Sequence, residues 1–220
     1  MPYATADTAH MAIGALIKQV KKNPKHILAL GRMARAHLMS DSADFNSEEL
    51  YLPFAQAVAS NKKVPAAERA AFEREARIIA NSQIGARVAD MSLERPDGSK
   101  TTLSANTAPM MLLFFTGSGC SDCSISRLRL SADYALNQMI EQQRLKIINI
   151  YVGEDNDEWK SWASSAPETW VNVRSQNAQD LYDLSVLPTI TYLNRRMEVI
   201  GKDFSADDII RSFQQHIMTH

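Results

Sequence analysis

The only two cysteines of this 220-residue chain, Cys120 and Cys123, are separated by two residues. A pair at this spacing can form a reversible disulfide, can close a small structural loop, or can supply half of a zinc site. The apolar run at residues 110–115 predicts a buried strand directly before the pair, and the residues after it predict a helix. Residues i and i+3 of a first helical turn share a face, with Cβ atoms about 5–6 Å apart, which a disulfide can bridge. The context therefore favours a redox pair.

The expected position of Cys120 at the start of that helix makes it the candidate attacking sulfur. Unpaired backbone N–H groups and the helix dipole stabilise a thiolate there, and the thiolate is the nucleophilic form of cysteine. Cys123 lies one turn further into the helix, so we expect it to be the more buried of the two. It would then act as the resolving thiol that breaks a mixed disulfide.

Three other interpretations of the pair stay open at this point. A zinc site could recruit His216 and His220, which have H-x3-H spacing, but they lie far away at the end of the chain. A purely structural disulfide would constrain the unfolded chain very little, because it closes over only two residues. Two unrelated thiols could also be small core residues. We expect no metal site.

Composition and charge exclude some function classes. The formal net charge is −1, so no global field favours nucleic acid or an anionic membrane. No apolar run approaches the roughly 20 residues that a membrane span needs. The first ten residues, MPYATADTAH, show no signal peptide. We expect either a cytoplasmic protein or a mature or engineered fragment of a longer one.

The first 81 residues predict a small all-α domain. Apolar residues at helical spacing predict a first helix, and Asn23 followed by Pro24 predicts the N-cap and start of a second. Asn46 or Ser47 is the expected cap of a third helix, and Pro65 begins a fourth. No strand is expected in this part of the chain.

Residues 82–220 predict an α/β domain whose sheet carries helices on both faces. Pro96-Asp97-Gly98 indicates a hairpin, and residues 110–115 and 145–152 indicate buried strands. Helices are expected over residues 124–143, 155–165 and 177–186. A second hairpin turns near Asn194, and Ser205 caps a closing helix.

Three segments, occurring in the same order, resemble the TlpA/ResA-like branch of thioredoxin-fold proteins, which are bacterial envelope thiol-disulfide oxidoreductases. IGARVADMSLERPDGSKTTLSA resembles the entry hairpin of that branch, and MMLLFFTGSGCSDC resembles its strand-to-CxxC segment. LYDLSVLPTITYLNRRMEVIGKDF resembles the segment around the family's cis-proline. The likeness covers about residues 84–220 and implies a thioredoxin-like sheet flanked by helices. The helical first third resembles a domain that precedes such modules in exported proteins of some Gram-negative bacteria.

The resemblance implies roles for five residues. Cys120 matches the attacking cysteine, Cys123 the resolving one and Pro188 the cis-proline. The backbone of Leu187 would pair with an extended substrate peptide, and Gly119 would also contact the substrate. The implied function is reduction or exchange of disulfides in envelope proteins, with no organic cofactor. A partner protein would reload the pair, and the implied location is the periplasm or another extracytoplasmic compartment.

The chain also departs from the thioredoxin pattern. Phe114 stands where a buried acid is usual, six residues before the first cysteine, and Gly119 replaces the usual tryptophan. Asp122 stands between the cysteines, where its charge opposes thiolate formation. These departures keep a rival hypothesis open, a catalytically weak binding or interaction module on a thioredoxin scaffold. A peroxiredoxin is disfavoured because Gly117 occupies the position of its characteristic threonine.

Two further features are expected to be structural. The three tryptophans at positions 159, 162 and 170 could line a substrate groove, but aromatic clusters are more often part of a core. The acidic segment GEDNDEW at residues 153–159 is expected to be a solvated loop and a helix N-terminus, rather than a cation site.

Overall fold

The computed structural model of the protein describes residues 6–39, 46–154 and 156–218. The chain splits into two compact units, Met1–Gln83 and Ile84–His220. The sequence-based boundary at residue 81 lies close to this division. Within the described ranges, no helix is both long enough and apolar enough to cross a membrane.

The described residues of the first unit form helices joined by turns and short loops, with no strand among them. Its four helices are α1 (Ala6–Val20), α2 (Pro24–Leu38), α3 (Glu48–Ala59) and α4 (Ala66–Ser82). Two predicted N-caps are confirmed: Asn23 accepts a hydrogen bond from the N–H of Lys25 at 3.0 Å, and Ser47 accepts one from Leu50 at 3.3 Å. Apolar side chains from the helices form a separate core for this unit.

The second unit is built on one mixed sheet. The strands found in its described residues are β1 (Ser92–Glu94), β2 (Lys100–Thr102), β3 (Met110–Thr116), β4 (Leu145–Tyr151), β5 (Val171–Arg174), β6 (Thr189–Asn194) and β7 (Val199–Lys202). Their order across the sheet is β2-β1-β5-β4-β3-β6-β7. The neighbours β3, β4 and β5 run parallel, while the hairpins β1–β2 and β6–β7 are antiparallel. Both predicted hairpins are therefore confirmed.

Strand β3 lies inside the sheet between parallel β4 and antiparallel β6. Because both its faces are covered, its residues form a continuous apolar run rather than an alternating one. Met111, Leu113 and Phe115 belong to the core on one face, whereas Leu112 and Phe114 belong to the core on the other. This strand leads directly to the cysteines, and its pairing on both sides fixes the position of the loop that precedes them.

The two faces of the sheet are covered differently. Helices α5 (Ser121–Ala132), α6 (Tyr134–Glu141) and α8 (Ala206–Met218) pack over the face that carries Leu112 and Phe114. The opposite core is closed by residues from the segment before β3, including Leu103 just before the 3-10 turn Ser104–Asn106, and by Ala178 of a second 3-10 turn, Ala178–Asp180. Helix α7 (Asn156–Ser164) precedes β5 and contacts it. The mixed sheet flanked by helices agrees with the predicted fold class.

Two predicted helices are wrong in extent. The helix expected over residues 124–143 is two helices, α5 and α6, separated by Asp133. That residue has an extended backbone, and its side chain accepts a hydrogen bond from the N–H of Leu136 at 2.9 Å, so it caps a new helix. The helix expected over residues 177–186 is only the single turn Ala178–Asp180. Beyond it, Asp183 accepts a hydrogen bond from the N–H of Ser185 at 3.0 Å, which favours a turn over a helix.

Candidate functional site

Cys120 lies at the N-cap of α5, as the sequence predicts. The chain leaves β3 at Thr116 and reaches Cys120 through a short loop in which Gly119 has a φ of +67°. Glycine adopts this left-handed backbone without the steric cost that other residues incur. Cys120 itself is extended, and its sulfur accepts a hydrogen bond from the N–H of Cys123 at 3.1 Å. An N–H donor at this distance stabilises a thiolate at Cys120 when the pair is reduced.

The two cysteines form a disulfide, with Cα atoms 5.3 Å apart. Their exposure differs in the predicted direction. Cys123 is 3% exposed, whereas Cys120 is half-buried and opens to solvent. An incoming sulfur can therefore reach Cys120 but not Cys123.

The loop before β6 lies against the disulfide. The Leu187–Pro188 peptide bond is cis, and the carbonyl oxygen of Leu187 lies 3.5 Å from the sulfur of Cys120. The fold thus brings the segment of Gly119, Cys120 and Cys123 against the Leu187–Pro188 pair. The two contacting residues, Cys120 and Leu187, are 67 positions apart in the sequence. The roles of all five residues with a substrate remain predictions.

Gly117 is a site residue whose role sequence reasoning missed. A Cβ atom at this position would lie 2.9 Å from Cδ1 of Leu187 and 3.4 Å from the carbonyl oxygen of Val152. Carbon atoms in contact normally stay about 3.5–4.0 Å apart, so a Cβ at this position would force the Leu187 side chain to shift away from the cysteine loop. The available signal is a glycine just after a buried strand, but from the sequence alone this glycine indicates only a mismatch to peroxiredoxins.

A groove of about 770 Å³ opens beside the disulfide. Its lining includes Cys120 on one side and residues of β4 and α7 on the other: Tyr151, Asp157, Glu158, Ser161 and Trp162. Trp162 therefore borders the groove, whereas Trp159 and Trp170 are buried, at 1% and 5% exposure. Trp162 packs against the core cluster of Tyr151 and Trp159 and also borders the groove, so both interpretations stay open for this tryptophan.

The acidic segment before Trp159 also contributes to this groove. Asp157 and Glu158 are exposed in the first turn of α7 and face the space next to the cysteines. Glu158 accepts a hydrogen bond from the hydroxyl of Tyr151 at 3.3 Å. The helix N-terminus predicted from the sequence is confirmed, but its position at the disulfide was not foreseen. That position results from the crossover between β4 and β5.

At the position where thioredoxins usually carry a buried acid, this chain has an apolar side chain. Phe114 is fully buried and packs edge-on against Trp170, with ring centroids 6.0 Å apart. The neighbouring strand places Asn149 opposite Phe114, and Asn149 donates a hydrogen bond to Asn172 at 2.8 Å. A neutral amide therefore lies next to this position, and it cannot take a proton from Cys123 as a carboxylate can.

No group of three or more His, Cys, Asp or Glu residues is placed to hold a metal ion within the described ranges. His220 and the side chain of His216, on which the zinc hypothesis rests, lie outside the part that the structure describes.

Comparison with known proteins identifies similar folds. No protein-family model matches the chain, and no curated protein matches it. A thioredoxin-like protein from Bacteroides caccae is 24% identical and superposes with a TM-score of 0.70, over 96% of this chain and 77% of that one. A protein of unknown function from Bacteroides fragilis is 29% identical, with a TM-score of 0.56 over 60% of this chain and 98% of that one.

A third similar structure is the thioredoxin domain of a thiol-disulfide oxidoreductase from Bacteroides vulgatus. It is 17% identical, with a TM-score of 0.53 over 61% of this chain and 98% of that domain. Together with the sheet order and the placement of the cysteines, these similarities show that the chain has a thioredoxin-like fold.

Proposed function

We propose that the protein is a thiol-disulfide oxidoreductase of the TlpA/ResA-like kind, which reduces or exchanges disulfides in proteins outside the cytoplasm. One observation carries this proposal. Cys120 is half-buried and lines the groove, its sulfur accepts the N–H of Cys123 at 3.1 Å, and that sulfur lies 3.5 Å from the Leu187 carbonyl oxygen. A structural disulfide does not need an accessible sulfur or a stabilising donor for its thiolate, whereas a nucleophile needs both.

In the reducing direction the reaction takes two steps. The Cys120 thiolate attacks one sulfur of the substrate disulfide, so that a mixed disulfide forms and the other substrate sulfur leaves as a thiolate, which takes up a proton. Cys123 then loses its proton and attacks the Cys120 sulfur, which releases the second substrate thiol. Two electrons pass from the cysteine pair to the substrate, and the pair ends as the disulfide seen in the structure.

The surrounding residues hold the substrate during these steps. Leu187 presents its carbonyl oxygen next to the reacting sulfur, where an extended peptide can pair with the backbone. Pro188 follows it and offers no N–H to compete for that peptide. Gly119 has no side chain, and the space that a Cβ would occupy there is open, with no atom within 4 Å.

Recycling requires an external dithiol, because the chain has no further cysteine. We propose that a partner protein supplies these electrons in the extracytoplasmic compartment. The name of the similar domain from Bacteroides vulgatus, a thiol-disulfide oxidoreductase, supports the reaction class. The sequence resemblance to envelope proteins supports the location.

Insulin reduction tests the proposal. With dithiothreitol as the electron source, the wild-type protein should accelerate precipitation of the insulin B chain above the rate for dithiothreitol alone. Cys120→Ser should abolish the acceleration. Cys123→Ser should also abolish it while trapping a mixed disulfide that is visible on a non-reducing gel.

A result in which the wild type and Cys120→Ser behave alike would contradict the enzyme hypothesis. It would favour the rival, a binding module on the same scaffold.

A further inference from the structure

We propose that the groove beside Cys120 selects protein segments that carry a positively charged side chain close to the reacting cysteine. This inference rests on the proposed function, since it names the substrate class of the same site. It concerns the wall formed by α7, which lies across the groove from the cysteines.

The wall is rigid and aromatic. The ring centroid of Trp162 lies 5.4 Å from that of Tyr151 and 5.6 Å from that of Trp159. Tyr151 and Trp159 are each 1% exposed, so they anchor the exposed part of Trp162 to the core. A fixed indole next to a reacting sulfur offers a flat surface on which a long side chain can lie.

The charge of the wall is negative. Asp157 and Glu158 are the ionisable side chains that α7 presents to the groove, and both are exposed. Among the described residues that line the groove, none is basic. Asp122, exposed in the first turn of α5 between the two cysteines, lies outside this lining but adds a third carboxylate to the same region. A lining of this sign attracts a cationic segment and repels an anionic one.

A basic side chain of the protein already places a guanidinium over the aromatic wall. Arg127 lies outside the groove lining, with its guanidinium carbon 5.9 Å from the centre of the Trp162 ring. It donates a hydrogen bond to the hydroxyl of Ser165 at 3.1 Å. Arg127 offsets part of the negative charge, but the two carboxylates of α7 and Asp122 outnumber it. The occupant that fits best is therefore an arginine or lysine side chain, held by carboxylates and stacked on an indole.

Three disulfide peptides of equal length test this selection. They differ only at the residue next to the cysteine, which is arginine, glutamine or glutamate. The rate of each with dithiothreitol alone is measured first, because neighbouring charge alters the intrinsic reactivity of a disulfide. After this normalisation, we expect kcat/KM to be about five- to tenfold higher for the arginine peptide than for the glutamate peptide at low salt, from the modest worth of exposed charge pairs. The ratio should shrink in 0.5 M salt, where charges are screened beyond about 4 Å.

A double variant, Asp157→Asn with Glu158→Gln, should lower the arginine-to-glutamate ratio to about twofold or less, because the exposed pairings that would favour a cation are lost. Glutamine keeps an oxygen that can accept the Tyr151 hydroxyl, which protects the wall. Glu141→Gln is the control for the loss of a surface carboxylate, since Glu141 is exposed at the end of α6, outside the groove lining, and its replacement removes one of the two charges that the double variant removes. It should leave the ratio unchanged. Near-ultraviolet circular dichroism checks that the tryptophan wall is intact in each variant.

Two failures are distinguishable. If insulin is reduced and the three peptides have equal normalised kcat/KM, or if the double variant keeps the full ratio, the groove does not select charge and this inference is overturned. If neither insulin nor any peptide is reduced above the rate for dithiothreitol, the proposed function fails, and the inference fails with it.

Discussion

Gly117→Ala tests whether the close approach of two loops builds the site. Gly117 lies in the loop between β3 and the cysteines, and a Cβ there would meet Cδ1 of Leu187 at 2.9 Å. The normal lower limit for such a contact is about 3.5 Å, so the Leu187 side chain must withdraw by roughly 0.6 Å. The Leu187 carbonyl, now 3.5 Å from the Cys120 sulfur, belongs to the same residue. The substitution therefore disturbs the point at which the substrate backbone is expected to pair.

The magnitude follows from the nature of the contact. Overpacking costs about 1–3 kcal/mol, and the lower end applies because the obstructing atom ends a flexible side chain. If the Leu187 loop relaxes away in the free enzyme, this energy is required again when a peptide pairs with it. About 1 kcal/mol in the transition state corresponds to about a fivefold loss in kcat/KM. The free energy of unfolding should fall by no more than a similar amount.

Two disulfide substrates separate the role of the loop from a general loss of activity. A peptide disulfide needs the Leu187 backbone, whereas a small aromatic disulfide such as dithionitrobenzoate needs only the Cys120 sulfur. Gly117→Ala should slow the peptide about fivefold and leave the small disulfide within about twofold of the wild type. Gly14→Ala in α1 is a control, because a Cβ there meets nothing within 4 Å and glycine is unfavourable inside a helix. Equal slowing of both disulfides by Gly117→Ala, or of neither, would refute the argument.

Three further predictions follow from local contacts. Hydrogen bonds from the side chain and backbone of Ser205 hold the pKa of Asp208 at about 2. Their contribution to stability is therefore present above about pH 4 and is lost as pH falls toward 2. Asp208→Asn should weaken the dependence of the free energy of unfolding on pH in that interval, measured by urea unfolding. Asp122→Asn should speed alkylation of reduced Cys120 at pH 7 by about two- to fivefold, the usual worth of an exposed charge, measured with iodoacetamide. Gly31→Ala should lower the free energy of unfolding of the helical unit by about 1–2 kcal/mol, because its Cβ would lie 2.6 Å from a valine side chain of α3, and thermal unfolding measures this.

The elements predicted correctly are those whose signals are local. Asn23 before Pro24, Ser47 before two glutamates and Ser205 before two aspartates each cap a helix through their own side chains or neighbours. One of the two errors in helix extent occurs where one residue serves two structures. Asp133 ends one helix and caps the next, and neither role is visible in a segment whose composition suits a continuous helix.

The cysteine centre was predictable for a similar reason, and its groove was not. A C-x2-C pair after a buried strand and a distant Leu-Pro pair are patterns along the chain. The groove depends instead on side chains that the β3–β4 and β4–β5 crossovers bring together from distant parts of the sequence. Trp162 and Glu158 reach the disulfide only because α7 packs beside the end of β4. Nothing in their own sequence neighbourhood distinguishes Trp162 from the buried Trp159, three residues earlier.

The departures from the thioredoxin pattern affect proton transfer more than geometry. The reactive arrangement depends on backbone groups, since the N–H of Cys123 and the carbonyl of Leu187 surround the Cys120 sulfur whatever side chains lie nearby. Replacement of the buried acid by Phe114 leaves those groups in place and removes only an acceptor for the Cys123 proton. Attack by Cys120 should therefore proceed as in a site with the acid, while resolution by Cys123 becomes the slower step. In single turnover, the mixed disulfide with a peptide should then accumulate in the wild type before it decays, and rising pH should shorten its lifetime because more Cys123 is deprotonated.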